Sequence, residues 1–215
     1  KHGVTCFIDP GNYHPKATVD AVAATGIRLV ASRSSFDKTK SVMGLLPKAM
    51  IETTGQALER AEEVLAAYKP APGSRVRASV CFRGLNNASD ELILGLRDLA
   101  ETHDCLLQTH ACFSYSTHDG SIAACGMPEI ERLEALGVLD ERMLLVHSGW
   151  LEPHEVALIA KRRPTLVAAP SSSLHNGYGN FVMGKLPELM ALGVNVSLGS
   201  DHASSGVVDM VQEML

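Results

Sequence analysis

Seven short apolar runs, each followed by an amphipathic helical stretch, narrow what this chain can become more than any other feature. The strand-like runs cover residues 4–8, 27–32, 76–82, 105–110, 143–147, 165–169 and 194–198. Between them the 3.6-residue pattern predicts helices over 15–24, 53–68, 89–102, 127–136, 153–161 and 185–192, with a last one from about 207. Ser89 ahead of Glu91 reads as an N-cap, Pro153 as a first helical residue, and Gly26, Gly137 and Gly193 as helix stops before the next strand. Strand–helix alternation means parallel strands joined by crossovers. The runs are apolar throughout rather than alternating, as befits strands covered on both faces.

Seven such units suit either a (β/α)8 barrel lacking one unit or a doubly wound sheet. A doubly wound nucleotide-binding sheet calls for a glycine-rich turn after an early strand, but the first run ends Asp9-Pro10-Gly11-Asn12-Tyr13-His14, not G-x-G-x-x-G. The fold class expected is therefore α/β, an incomplete TIM-like barrel carrying strands 2–8. The chain opens without methionine, already entering a strand, and closes on Val-Gln-Glu-Met-Leu in a helical pattern. We read residues 1–215 as one barrel domain cut at both ends.

A net charge of −5 offers no basic footprint, which argues against nucleic acid as partner. No apolar run approaches the ~18 residues that span a bilayer, so no membrane partner is expected. Cys6, Cys81, Cys105, Cys112 and Cys125 are odd in number and scattered, which suits reduced thiols and a cytoplasmic setting.

In a parallel barrel the side chains just past the C-terminal strand ends face one mouth. In chain order these are Asp9 and His14, Ser32 and Arg33, Arg83, His110, His147, Ser171–Ser173, then Asp201 and His202. Each alone has an ordinary reading as a rim or turn residue. Together, His110, His147 and Asp201 place nitrogen and carboxylate donors on strands that would ring one mouth. Such donors without cysteine suit zinc or iron(II), with a position left open for water.

At these residues the chain resembles the amidohydrolase superfamily, on the branch of cytosine deaminase, S-adenosylhomocysteine deaminase and triazine hydrolase. The likeness rests on Leu-Gln-Thr-His110, Leu-Leu-Val-His147, the Pro170-Ser171-Ser172-Ser173 turn against a Pro-x-Ser-Asn pattern, and Leu198-Gly199-Ser200-Asp201 against Leu-Gly-[Thr/Ser]-Asp. The resemblance implies a His-x-His pair on strand 1 and a small β-sandwich, both missing here. It also implies a strand-4 lysine where two metals are bridged; this chain ends that strand Cys81-Phe82-Arg83, which favours one metal. The implied cofactor is one divalent ion, zinc ahead of iron, with His110 and Asp201 as ligands. The implied catalytic pair is Asp201, accepting a proton from water, and His147, stabilising charge on the attacked group. The implied reaction is hydrolysis of a C–N bond, as in deamination of a small nitrogen heterocycle.

One departure matters. The deaminases carry His-x-x-Glu to shuttle protons, whereas this chain reads His110-Ala111-Cys112-Phe113. Tyr115, His118, His175 and His202 are candidate substitutes, and each also reads as a rim residue. Trp150 and His175 are expected to bind substrate, Trp150 as a pocket wall and His175 from a flexible loop; for Trp150, core packing is the other reading. Arg83 reads either as a partner for an anionic substrate or as a surface ion pair. The partner expected is a small-molecule substrate, with a homo-oligomer possible. Dechlorination, cyclic-amide opening and a catalytically deficient binding homologue stand as alternatives.

Overall fold

The computed structural model describes residues 3–38, 40–41, 44–45, 47, 50, 52–201 and 209–214. The chain divides between Thr109 and His110 into two compact units, the second of which also takes in the residues before Thr5.

The N-terminal unit runs β1 (Cys6–Ile8), α1 (Pro15–Ala23), β2 (Arg28–Ala31), β3 (Ser34–Ser35), β4 (Lys40–Ser41), β5 (Gly44–Leu45), α2 (Thr54–Ala67), β6 (Val76–Ala78), β7 (Val80–Gly84) and α3 (Asp90–Thr102). Strands β1, β2 and β6 pair in parallel, with Phe7 opposite Leu29 and Leu29 opposite Val76. β3 pairs with β7 in parallel, Ser34 opposite Cys81. Its core gathers Val19, Leu29 and Ala31 with Val22, Tyr68 and Val76. On α2 the charged residues Glu59, Arg60, Glu62 and Glu63 are exposed while Ala57, Ala61, Val64 and Leu65 are buried, as the 3.6-residue pattern of this segment requires.

The polar strand ends of this unit tie themselves together. Asp9 is buried and accepts from the Gly11 amide at 3.1 Å and from the Asn12 side chain. The Ser32 hydroxyl donates to the Asp9 carbonyl at 2.6 Å, and Arg33 makes a two-pronged ion pair with Glu52 at 2.5 and 2.9 Å. Burial raises the Asp9 pKa, against hydrogen bonds from Asn12 and Gly11 and the positive charge of Arg83. Arg83 is thus exposed near a buried acid of its own unit.

The C-terminal unit begins inside β8 (Leu107–Ala111) and continues α4 (Tyr115–Cys125), α5 (Glu129–Ala135), β9 (Met143–His147), α6 (Pro153–Arg162), β10 (Thr165–Ala168), α7 (Pro170–Asn176), α8 (Asn180–Met183), α9 (Leu186–Ala191), β11 (Val196–Leu198) and α10 (Met210–Glu213). The strand order is β11-β10-β9-β8. β10 pairs in parallel with both β9 and β11, Val146 opposite Val167 and Val167 opposite Ser197. Parallel pairing in step brings the ends of these strands out on one side. Every residue of β8 and β9 is buried, consistent with strands covered on both faces.

The helix signals behave as read. Ser89 caps α3, its hydroxyl accepting the Leu92 amide at 3.1 Å, and Pro153 opens α6. Gly26, Gly137 and Gly193 adopt φ of 72°, 69° and 78°, the left-handed region that ends a helix with little cost only at glycine. Three helices were not expected. The 3.6-residue pattern predicts no helix over residues 111–126 and 170–184, yet they hold α4, α7 and α8. His202 and the start of the last helix near residue 207 lie outside the described residues.

Candidate metal centre

Three strand ends of the C-terminal unit supply the site. His110 is the penultimate residue of β8, His147 the last of β9, and Asp201 follows β11 by three positions. Their nearest donor atoms lie within 4.8 Å of one another. Among the described residues this is the one set of three His, Cys, Asp or Glu side chains placed to share a cation. The His110 and His147 rings are 5.6 Å apart, and His147 Nε2 lies 4.0 Å from Asp201 Oδ2. Both imidazoles are buried, and the Asp201 side chain is only 16% exposed.

The backbone bends to make this convergence. His147 and Ser148 have φ of 81° and 48°, Cys112 has 51° and Asp201 has 63°. Non-glycine residues seldom adopt these values, and each costs ~1–3 kcal/mol that surrounding contacts must offset. The offsetting contacts are present. The Ser148 amide donates to the Ala111 carbonyl at 3.0 Å, and the Gly149 and Trp150 amides donate to the Cys112 carbonyl at 3.0 and 2.9 Å. The turns after β8 and β9 are therefore stitched to each other.

Asp201 is oriented by α7. The Ser172 hydroxyl donates to Asp201 Oδ2 at 2.6 Å, and Asn176 Nδ2 donates to the Ser172 oxygen at 3.2 Å. The neighbouring Ser171 amide and hydroxyl donate to the buried Glu213 carboxylate, at 3.0 and 2.5 Å. The serine run marked from the sequence as a turn is thus the first turn of a helix, opened by Pro170 at the first helical position. Ser172, Asn176 and Glu213 were missed as site residues. The serine run itself was the available signal.

An aromatic wall stands beside His147. Phe113 lies 5.7 Å from the His147 ring and 5.2 Å from Tyr178, and Tyr178 sits edge-on to His147 at 5.6 Å. Where the resemblance calls for a glutamate, this chain presents an apolar ring in contact with the site histidine. Tyr178 was not singled out from the sequence.

The other expected residues make contacts of their own. Trp150 donates from Nε1 to the Tyr178 carbonyl at 2.7 Å, packs edge-on to Tyr115 at 5.5 Å, and would touch a Cβ placed on Gly179. It clamps the segment that carries Tyr178. His175 belongs to α7, not to a flexible loop, and its side chain is exposed in that helix's last turn. His118 is buried in α4 between Asp119 at 3.5 Å and Glu152 at 3.3 Å, with Tyr115 stacked at 6.4 Å. No helix among the described residues is long and apolar enough to cross a membrane. None of the five cysteines is in a disulfide.

Two nitrogen donors and a carboxylate, held by strained turns, match the chemistry of zinc and iron(II) ligation. Ligands held at ~2.1 Å from an ion can lie at most ~4.2 Å apart. The spread of up to 4.8 Å therefore admits two direct ligands with the third side chain as close neighbour, or a slight contraction onto all three.

The chain is similar over most of its length to known proteins. A 5′-deoxyadenosine deaminase of Methanothrix thermoacetophila is 29% identical over all 215 residues, which cover 47% of its own length. The chain spans about half the length of the curated relatives it matches. Among solved structures, a zinc-bound adenosine deaminase from Xanthomonas campestris superposes with a TM-score of 0.86 at 22% identity, over 99% of this chain and 45% of that one. A zinc-complexed atrazine chlorohydrolase from Arthrobacter aurescens TC1 gives 0.85 at 24% identity, over 95% and 46%. These likenesses carry the fold, and the α/β class read as an incomplete barrel agrees with them. The amidohydrolase family profile matches residues 1–215, the whole span over which the strand-end pattern was read, and the chain belongs to the amidohydrolase family.

Proposed function

We propose that the protein is a metal-dependent hydrolase that cleaves a C–N bond of a small nitrogen heterocycle and releases ammonia. The observation that carries this reading is the convergence of His110, His147 and Asp201 to within 4.8 Å at one end of parallel strands. Relatives named as deaminases of adenine nucleosides support the reaction class. Zinc in the two solved structures supports zinc over iron.

On this reading His110 and Asp201 hold the ion, with further ligands from a His-x-His that these 215 residues do not contain. When bound, such an ion supplies Lewis acidity and brings the pKa of a coordinated water towards ~7. The Asp201 carboxylate, which Ser172 keeps in a fixed orientation, would take up a proton from the attacking water. His147 donates a hydrogen bond to the substrate atom on which negative charge grows, a role worth most where water is excluded. The Phe113 and Tyr178 rings beside it exclude water and present a flat apolar surface to a planar ring. Five cysteines without a disulfide support a cytoplasmic setting.

Phe113 favours a second reading on the same scaffold. Phenylalanine transfers no proton, and a missing general acid typically costs about 10²–10⁴ in rate. Chloride departs without being protonated, so hydrolytic dechlorination fits the Phe113 site with less loss than deamination does.

The test is zinc-loaded protein assayed for ammonia release from aminated purines, pyrimidines and triazines, and for chloride release from their chlorinated counterparts. Ammonia release that rises ~10–100-fold in Phe113→Glu supports deamination with a crippled proton shuttle. Chloride release with no gain from the substitution supports dechlorination. Protein that binds zinc and turns over neither set would make the chain a binding homologue and end the proposal.

A further inference from the structure

Glu129 is the least expected group in the C-terminal unit. It opens α5, outside the metal triad, yet its carboxylate is 2% exposed and accepts the Cys112 amide at 2.5 Å. Cys112 is a hub. It sits at a left-handed φ of 51°, two residues after His110 and one before Phe113. Its carbonyl takes the amides of Gly149 and Trp150, which follow His147. The amide side of the same peptide hub has Glu129 as its partner. One buried carboxylate on a helix thus anchors the point where the two site-bearing turns are joined.

The environment of Glu129 is closed. Cys112 and Thr117 hydrogen-bond to it, and Glu155 faces it across α5 and α6. Glu155 accepts the amides of Ile130 at 2.8 Å and Glu152 at 2.9 Å, and feels the positive fields of His118 and His154. Burying two neighbouring carboxyl groups is expensive, and an apolar residue at 129 would relieve it. A core serving stability alone has no need of this acid; a strained turn that needs a fixed acceptor does.

We propose that Glu129 is a positioning residue that sets the placement of His110, Phe113 and His147 by clamping the Cys112 turn. It touches neither substrate nor ion and acts through the backbone. Either protonation state offers an oxygen to the Cys112 amide, so glutamine preserves the clamp and alanine removes it. The effect on zinc rests on the metal reading above; the effect on the turn does not.

Trp150, the only tryptophan of the chain, reports the turn directly because its amide is bonded to the Cys112 carbonyl. The experiment compares wild type, Glu129→Gln, Glu129→Asp, Glu129→Ala and Leu133→Ala for Trp150 emission without metal and for zinc affinity. Leu133→Ala is a core truncation on the same helix that leaves the Cys112 contacts alone. The expected result is a red-shifted, more quenchable Trp150 and a ~10–100-fold weaker zinc affinity in Glu129→Ala. Glu129→Gln should restore both, Glu129→Asp should fall between, and Leu133→Ala should lower Tm while leaving emission and affinity alone. If Glu129→Ala does not fold, the contrast between the Gln and Asp variants decides. Wild-type emission in the Ala variant overturns the proposal, as does a Gln variant that fails to restore it, or a Leu133→Ala shift of equal size. Wild-type protein that binds no zinc would remove the metal reading and leave the emission comparison standing.

Discussion

Glu129 also has a consequence for stability. Burial, offset in part by hydrogen bonds from Cys112 and reinforced by the charge of Glu155, pushes its pKa from 4.5 up to about 7. The folded state therefore holds a proton that the unfolded chain has released between those values. Its stabilising share is complete below about pH 4.5 and is lost as pH climbs through about 7. At about 1.36 kcal/mol for each unit of pKa, the full swing is on the order of 3 kcal/mol. Replacing Glu129 by glutamine removes this titration. Urea unfolding at pH 5, 6, 7 and 8 should show the Gln variant gaining on wild type as pH rises from 5 to 7, with the gap levelling off above about 7. Parallel curves would mean that this carboxyl does not titrate in that window. None of this was legible in the sequence, where Glu129 is one acid in a Pro-Glu-Ile-Glu run that reads as the first turn of a helix. His110, His147 and Asp201 were legible because strand ends in a parallel sheet share a side. Phe113 was legible only as a missing glutamate, and its contact with Tyr178 needs two segments 65 residues apart to meet.

Helices α2 and α4 show why some elements announce themselves and others do not. α2 buries Ala57, Ala61, Val64 and Leu65 along one stripe, and that period can be read from the residues alone. α4 has no such stripe; its buried residues are Thr117, His118 and Ser121, and its apolar residues are spread around the axis. What starts α4 is a cap. The Ser114 hydroxyl accepts the Thr117 amide at 3.3 Å, and the Thr117 hydroxyl accepts the Ser114 amide at 3.3 Å. Gly126 at φ 78° ends it. Local hydrogen bonding, not amphipathy, defines this helix, so its cap should matter. Ser114→Ala is expected to cost ~1 kcal/mol in unfolding free energy, read as a lower urea midpoint with the slope unchanged. A midpoint equal to wild type would assign α4 to packing alone. α7 was hidden for a related reason, since a run of three serines after proline looks like turn chemistry until Ser171 and Ser172 are seen bonded to Glu213 and Asp201.

At the scale of the molecule, strand order and parallel pairing follow from the β-then-α alternation, whereas the division after Thr109 has no counterpart in composition. The candidate site lies wholly on the second side of that division, yet its residues span positions 110 to 201. An ion held by residues so far apart in sequence binds the folded chain and has little hold on the unfolded one. Linkage then ties zinc to stability: free zinc at about a hundredfold excess over its Kd adds ~2.7 kcal/mol. For a chain of this length that corresponds to a rise in Tm of roughly 5–10 °C. Thermal unfolding of chelator-treated protein with and without zinc should show that rise, and a chelator should reverse it. His110→Ala and Asp201→Ala should abolish it. His175→Ala should keep it in full, because His175 lies exposed at the end of α7. A rise that survives in His110→Ala and disappears in His175→Ala would move the ion off the strand ends and onto the helix surface. The strained φ values at His147 and Asp201 would then need another cause than the one assigned to them.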